Sequence, residues 1–164
     1  MLLIISFLLQ STLFSQFTIV GVVPNLLIIV VASIGFLVGR KYGLIVGFAA
    51  GMLVDVFFGS VIGIYALLYM YTGFINGLFK KILYPNDFRL PLGLIVGSDI
   101  IYGHACYIVF FLLKGDFHYF YYLRAVILPE VVYTTVIACI LYPIIQVIFR
   151  WIARHEEKVE ETIG

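Results

Sequence analysis

The sequence predicts an all-α membrane protein, a compact bundle of about six transmembrane helices, and two observations carry that expectation. Of the 164 residues, 63% are apolar and only 12% are charged, about half the charged share of a soluble domain, too little to build a water-facing surface. The apolar residues also fall in long blocks, each approaching the roughly 20 residues that a helix needs to cross the hydrocarbon layer.

Taken in order, the first span is expected over residues 2–19. It has the apolar core of a signal peptide, but no Lys or Arg precedes it and no small-residue cleavage site follows, so it reads as a retained span. The second covers 24–38, with Pro24 suited to a helix's first turn, and Arg40 and Lys41 then mark a short polar turn. The third covers 43–58 and the fourth 64–79. Lys80, Lys81, Pro85, Asn86, Asp87 and Arg89 form the clearest internal loop, where proline and charge together break the helix. The fifth span covers 92–113, and the polar, aromatic stretch 114–122 fits a membrane-interface belt. The sixth begins near Val126 and passes Trp151. Residues 1–154 thus form the transmembrane domain, and 155–164 a short charged tail that reads as a solvated helical extension.

Lys and Arg set the orientation, because positively charged loops stay cytoplasmic. With six spans, Arg40, Lys41, Lys80, Lys81, Arg89, Arg150, Arg154 and Lys158 share one side, and only Lys114 and Arg124 fall on the other. Both termini are therefore expected in the cytoplasm. The net charge of +1 and the absence of a basic stripe exclude a nucleic-acid partner. Cys106 and Cys139 lie within apolar blocks and read as packing residues, with no metal-ligand spacing. No phosphate loop, zinc pair or nucleophile elbow occurs, and Ser33, Ser60 and Ser98 are isolated small residues. Neither an enzyme nor a cofactor is expected.

The most specific local pattern is Gly35, Gly39, Gly43, Gly47, Gly51, Asp55, Gly59 and Gly63, a series with a spacing of four. Each step of four drifts about 40° around a helix, so only Gly43, Gly47 and Gly51 make one smooth face. Small residues let a neighbouring backbone come close, in packing within the bundle, in a partner groove or in a homodimer seam. Intramolecular packing is the leading of these readings, and Gly73 and Gly77 add to it.

Three carboxyl groups fall on three spans: Asp55, Asp99 and Glu130. An acid in a span costs several kcal/mol unless it is paired, protonated or wet. Such acids mark proton or substrate paths, but they also lock bundles, and locking is the leading expectation. Asp55 stands where the third span ends and can bond the start of the fourth. Glu130 follows Pro129, which removes a helical hydrogen bond and frees a carbonyl. Asp99 and His104 are five residues apart, about 140° around a helix, so they share no face and make a poor metal site.

Pro24-Asn25-Leu26, then Gly39 to Gly43, Gly47-Phe48, Gly51-Met52-Leu53-Val54-Asp55, Gly59, Gly63 and Ala66-Leu67 resemble the MreD family of rod-shape-determining membrane proteins. Leu128-Pro129-Glu130-Val131-Val132-Tyr133 is similar to that family's final span. One departure is Asn25, where members often carry Asp; a hydrogen-bonding role survives that change. The resemblance implies a non-enzymatic scaffold of the bacterial inner membrane, acting in cell elongation with MreC, the MreB filament, RodA and a penicillin-binding synthase. It also implies a fold similar to the substrate-binding components of energy-coupling-factor transporters. The competing expectation is a small-molecule-binding transport component, with a polar cavity lined by Asp99 and His104.

Overall fold

A computed structural model describes residues 1–16, 21–82, 88–115 and 118–163 of the chain. Its helices are α1 (Leu2–Gln16), α2 (Leu26–Val38), α3 (Arg40–Phe58), α4 (Ile64–Leu78), α5 (Arg89–Lys114), α6 (Tyr119–Tyr122) and α7 (Leu128–Ile163). A 3-10 turn, Phe79–Ile82, extends α4, and a π-helical turn, Leu123–Ile127, joins α6 to α7. Among the described residues no strand occurs.

The organising element is α2, which is apolar all round and has every residue from Leu26 to Phe36 buried. It touches α1, α3, α4, α5 and α7 and supplies more of the buried apolar core than any other helix among the described residues. Its thirteen residues rise only about 20 Å, short of the roughly 30 Å hydrocarbon layer. The non-helical stretch through Val22 and Val23, both buried, leads into it. Irregular backbone at this depth is tolerated only inside protein, where its polar groups find partners.

Around this axis α3 and α4 form a tight antiparallel hairpin. The turn between them contains Gly63 at φ 104°, a backbone conformation that favours glycine. The faces in contact carry Gly43, Gly47 and Gly51 on α3 and Ala66, Gly73 and Gly77 on α4. A Cβ added at Gly43 would strike the Gly73 carbonyl, at Gly47 the Tyr69 carbonyl, and at Gly51 the Ala66 backbone. Close backbone approach of this kind maximises dispersion contact where lipid offers no hydrophobic drive.

Several boundaries differ from the sequence expectation. Pro24 lies outside α2, because the following Asn25 takes the N-cap and starts the helix at Leu26. Arg40 and Lys41 form no polar turn: Gly39, at φ 124°, reverses the chain in one residue and α3 begins at Arg40. Lys80 and Lys81 belong to the 3-10 turn; Pro85, Asn86 and Asp87 lie outside the described residues, as do 17–20 of the first expected span. Tyr119–Tyr122 is helical where a loop is expected, because α7 is extended backwards through the π turn. There the Leu128 N–H bonds the Leu123 carbonyl five residues back, a register change directly before Pro129, whose ring nitrogen donates nothing. Cys139 is exposed, unlike buried Cys106, since apolar character does not separate a lipid-facing position from a core one.

Among the described residues three helices are long and apolar enough to cross a membrane: Arg40–Phe58, Arg89–Phe110 and Tyr119–His155. Leu2–Thr12 and Leu26–Val38 are apolar but shorter.

Candidate functional site

Burying the start of α2 creates a demand that its neighbours meet. The first four N–H groups of a helix have no partner within it. Here Leu26 N donates to Pro24 O (3.1 Å) and Ile29 N to Asn25 O (3.4 Å). Leu27 N donates to Gln10 Oε1 of α1 (3.2 Å), and Ile28 N to the Asn25 side-chain Oδ1 (3.2 Å). All four donors are satisfied within the protein.

Asn25 is the centre of this junction. Its Oδ1 also accepts from the Tyr69 hydroxyl of α4 (2.8 Å), and its backbone N–H donates to Thr134 Oγ1 of α7 (3.1 Å). Glu130 stands beside the Asn25 side chain, and Tyr69 packs on Tyr102 of α5 with their rings 5.0 Å apart. One asparagine, 2% exposed, thus ties α2 to α4 and α7 and, through Tyr69, to α5. A cavity of about 210 Å³ opens beside it, walled by Phe7, Tyr65, Tyr69 and Tyr102 and reaching Gln10 and Glu130.

The three expected acids are separate. Asp55, 1% exposed, bridges α3 to the start of α4: Oδ1 accepts from Tyr65 N (3.1 Å) and Oδ2 from Ala66 N (2.8 Å). A carboxylate at a helix N-terminus is favoured by both the free N–H groups and the dipole. Gly59 closes α3 with its N–H on the Asp55 carbonyl at 3.0 Å, and a Cβ on it would lie 2.6 Å from that oxygen. Asp99 is buried, with neither oxygen in a hydrogen bond of ordinary geometry among the described residues; Thr134 is the hydroxyl beside it. Glu130, half-buried on α7, alone of the three lines the cavity.

His104 stands apart from all of them. Its Nδ1 donates to the Ile100 carbonyl (2.7 Å), which fixes the tautomer, so Nε2 accepts from the Tyr119 hydroxyl (2.8 Å). It fastens α6 to α5. Neither Asp99 nor His104 lines the cavity beside Asn25. Sequence reasoning missed Gln10, Tyr69, Tyr102 and Thr134. It also missed Asn76, whose Nδ2 donates to Thr72 O (2.8 Å) and Ser98 Oγ (2.7 Å). The signal available for Asn76 and Gln10 was a lone amide inside an apolar block.

A fully buried central helix, long apolar neighbours and interior polar groups largely engaged with one another define a polytopic helical membrane protein whose polar residues hold helices together. The family model for rod shape-determining protein MreD matches residues 1–152, and the chain belongs to that family of membrane proteins. No curated protein and no solved structure matches it.

Proposed function

We propose that the protein is a non-enzymatic scaffold and regulator of the bacterial cell elongation machinery. In this reading it sits in the cytoplasmic membrane with six spans and both termini inside. It binds MreC and helps couple MreB filaments to peptidoglycan synthesis by RodA and a penicillin-binding synthase. The observation that carries the reading is the match to the rod shape-determining family over residues 1–152.

The geometry supports it by showing which faces are left. The Gly43, Gly47 and Gly51 face is covered by α4, so neither a partner helix nor a second copy can use it while the hairpin is intact. On α7, by contrast, Leu128, Val132, Val136, Ile140, Ile144, Val147 and Trp151 are all exposed. Their spacing of three and four residues makes one continuous apolar stripe. We place the MreC contact on that stripe. Co-purification of MreC with the full chain tests it: Val136→Trp with Ile140→Trp keeps the face apolar and is expected to abolish capture. Undiminished capture by the folded variant refutes this placement, and a complex containing two copies of this chain without MreC makes the stripe a homodimer seam.

The cavity beside Asn25 favours a second reading, a small-molecule-binding transport component with a fold like that of energy-coupling-factor substrate-binding subunits. Thermal-shift screening with vitamin-like ligands separates the two, because a ligand that binds only the folded state raises its melting temperature.

A further inference from the structure

The opposite end of α2 gathers cations that are far apart in the sequence. α2 ends at Val38, and the one-residue reversal at Gly39 puts Arg40 and Lys41 at the start of α3. Gly77 packs so closely on Arg40 that a Cβ there would overlap the Arg40 backbone. The 3-10 turn carrying Lys80 and Lys81 is thereby held next to Arg40 and Lys41.

Two cavities of about 490 and 440 Å³ open at this end. The first is lined by Arg40, Lys41, Lys80 and Lys81 together with the apolar Val38 and Leu78. The second shares Val38, Tyr42 and Lys80 with it, and adds Arg150, Phe149 and Ile152. Among the described residues neither has an acidic residue in its lining. Lys80 Nζ donates to the Val38 carbonyl at 2.7 Å, so that lysine is held between the two cavities at the end of α2. Arg40, Lys41 and Lys81 are exposed.

The level of the cavities in the membrane is marked by aromatic residues. Trp151 and Tyr42 are 63% and 60% exposed, and amphipathic rings of this kind settle at the headgroup layer. Basic pockets between transmembrane helices at that level suit anionic headgroups. The apolar residues in the linings match the acyl chains that follow a headgroup, and a soluble phosphate makes no use of them. We propose that the two cavities form a site for an anionic phospholipid carrying two phosphodiesters, of the cardiolipin type. One phosphate occupies each cavity, and Lys80 lies between them.

Native mass spectrometry of the purified full chain with cardiolipin, phosphatidylglycerol or phosphatidylethanolamine tests this. Cardiolipin is expected to be retained most tightly, and an excess of inorganic phosphate is expected not to displace it. Lys41→Gln with Lys81→Gln should weaken its retention roughly 25-fold, about fivefold per lysine, equivalent to about 1 kcal/mol each. Lys114→Gln with Arg124→Gln should leave it unchanged. Equal retention of phosphatidylglycerol removes the two-phosphate assignment, and displacement by inorganic phosphate removes the lipid. An equal loss in the two double variants, each with wild-type helix content by circular dichroism, shows general charge attraction and overturns the site. Arg40→Gln with Lys41→Gln serves as a second pair should the first not fold.

Discussion

The Asp55 carboxylate lies 2.8 Å from the Ala66 backbone nitrogen and 3.1 Å from that of Tyr65, so one buried acid on α3 closes the first turn of α4. Both oxygens accept from backbone N–H groups, and the α4 dipole adds to the attraction. Asp55→Ala leaves one buried and one partly buried donor without partners and is expected to destabilise the protein by roughly 2–4 kcal/mol, since a fully buried unsatisfied donor costs about 1–3 kcal/mol and a partly buried one less. Asp55→Asn retains one acceptor and should lose about half as much. Melting temperatures of the purified variants in detergent check this; an Asp55→Ala protein as stable as the wild type would show that the bridge contributes nothing.

The glycines divide into two kinds, and the division is measurable. Gly47→Ala drives a methyl group into the Tyr69 carbonyl, so α3 and α4 must move apart, at a cost of roughly 1–3 kcal/mol for overpacking. Gly97→Ala, in α5, meets nothing within 4 Å. It is expected to be neutral or to stabilise by up to about 1 kcal/mol through helix propensity. If both variants melt alike, the close approach of α3 and α4 is wrong.

What could be read from the sequence was whatever repeats. The four-residue spacing of Gly43, Gly47 and Gly51 marked a smooth helix face, and the same spacing carried a family resemblance that the match over residues 1–152 supports. Burial was harder to read. Hydropathy scores the interior of α2 and the exterior of α7 alike, so Ile29, fully buried, and Ile140, 62% exposed, look the same along the chain. The Asn25 junction was hidden for a different reason. Its members, Gln10, Tyr69, Tyr102, Thr134 and Glu130, come from four other helices, and nothing in their spacing says that the start of α2 will be buried among them. Asn25 itself stood out in the family resemblance, as a hydrogen-bonding residue where members often carry Asp, but with no indication of its partners.

Asn25 supplies an acceptor to Ile28 N and to the Tyr69 hydroxyl, and its side chain stands beside Glu130. Asn25→Ala strands both of these donors and should destabilise by roughly 2–4 kcal/mol, the range for leaving two buried donors without an acceptor. Asn25→Asp keeps the acceptor but sets a second carboxyl beside Glu130, and it is expected to fold only when one of the two is protonated. Its melting temperature should therefore rise as the pH falls, relative to that of the wild type. Glu130→Gln in the Asn25→Asp background is expected to remove that dependence. A persisting pH response in the double variant would place its origin elsewhere.

Lys80 and Arg150 line the same cavity at the end of α2, although seventy residues of sequence separate them. The fold therefore puts the 3-10 turn and this level of α7 at one end of the bundle, which in the proposed orientation is the cytoplasmic face. Single cysteines at Lys81 and Arg150, in a background with Cys106 and Cys139 replaced by alanine, provide the measurement. An impermeant maleimide added to intact cells is expected to label neither, and to label both once the membrane is opened. A cysteine at Lys114 is expected to react from outside. Labelling of positions 81 and 150 from opposite sides would require α5 and α7 to pack in a different order around α2, and the shared cavity could not form.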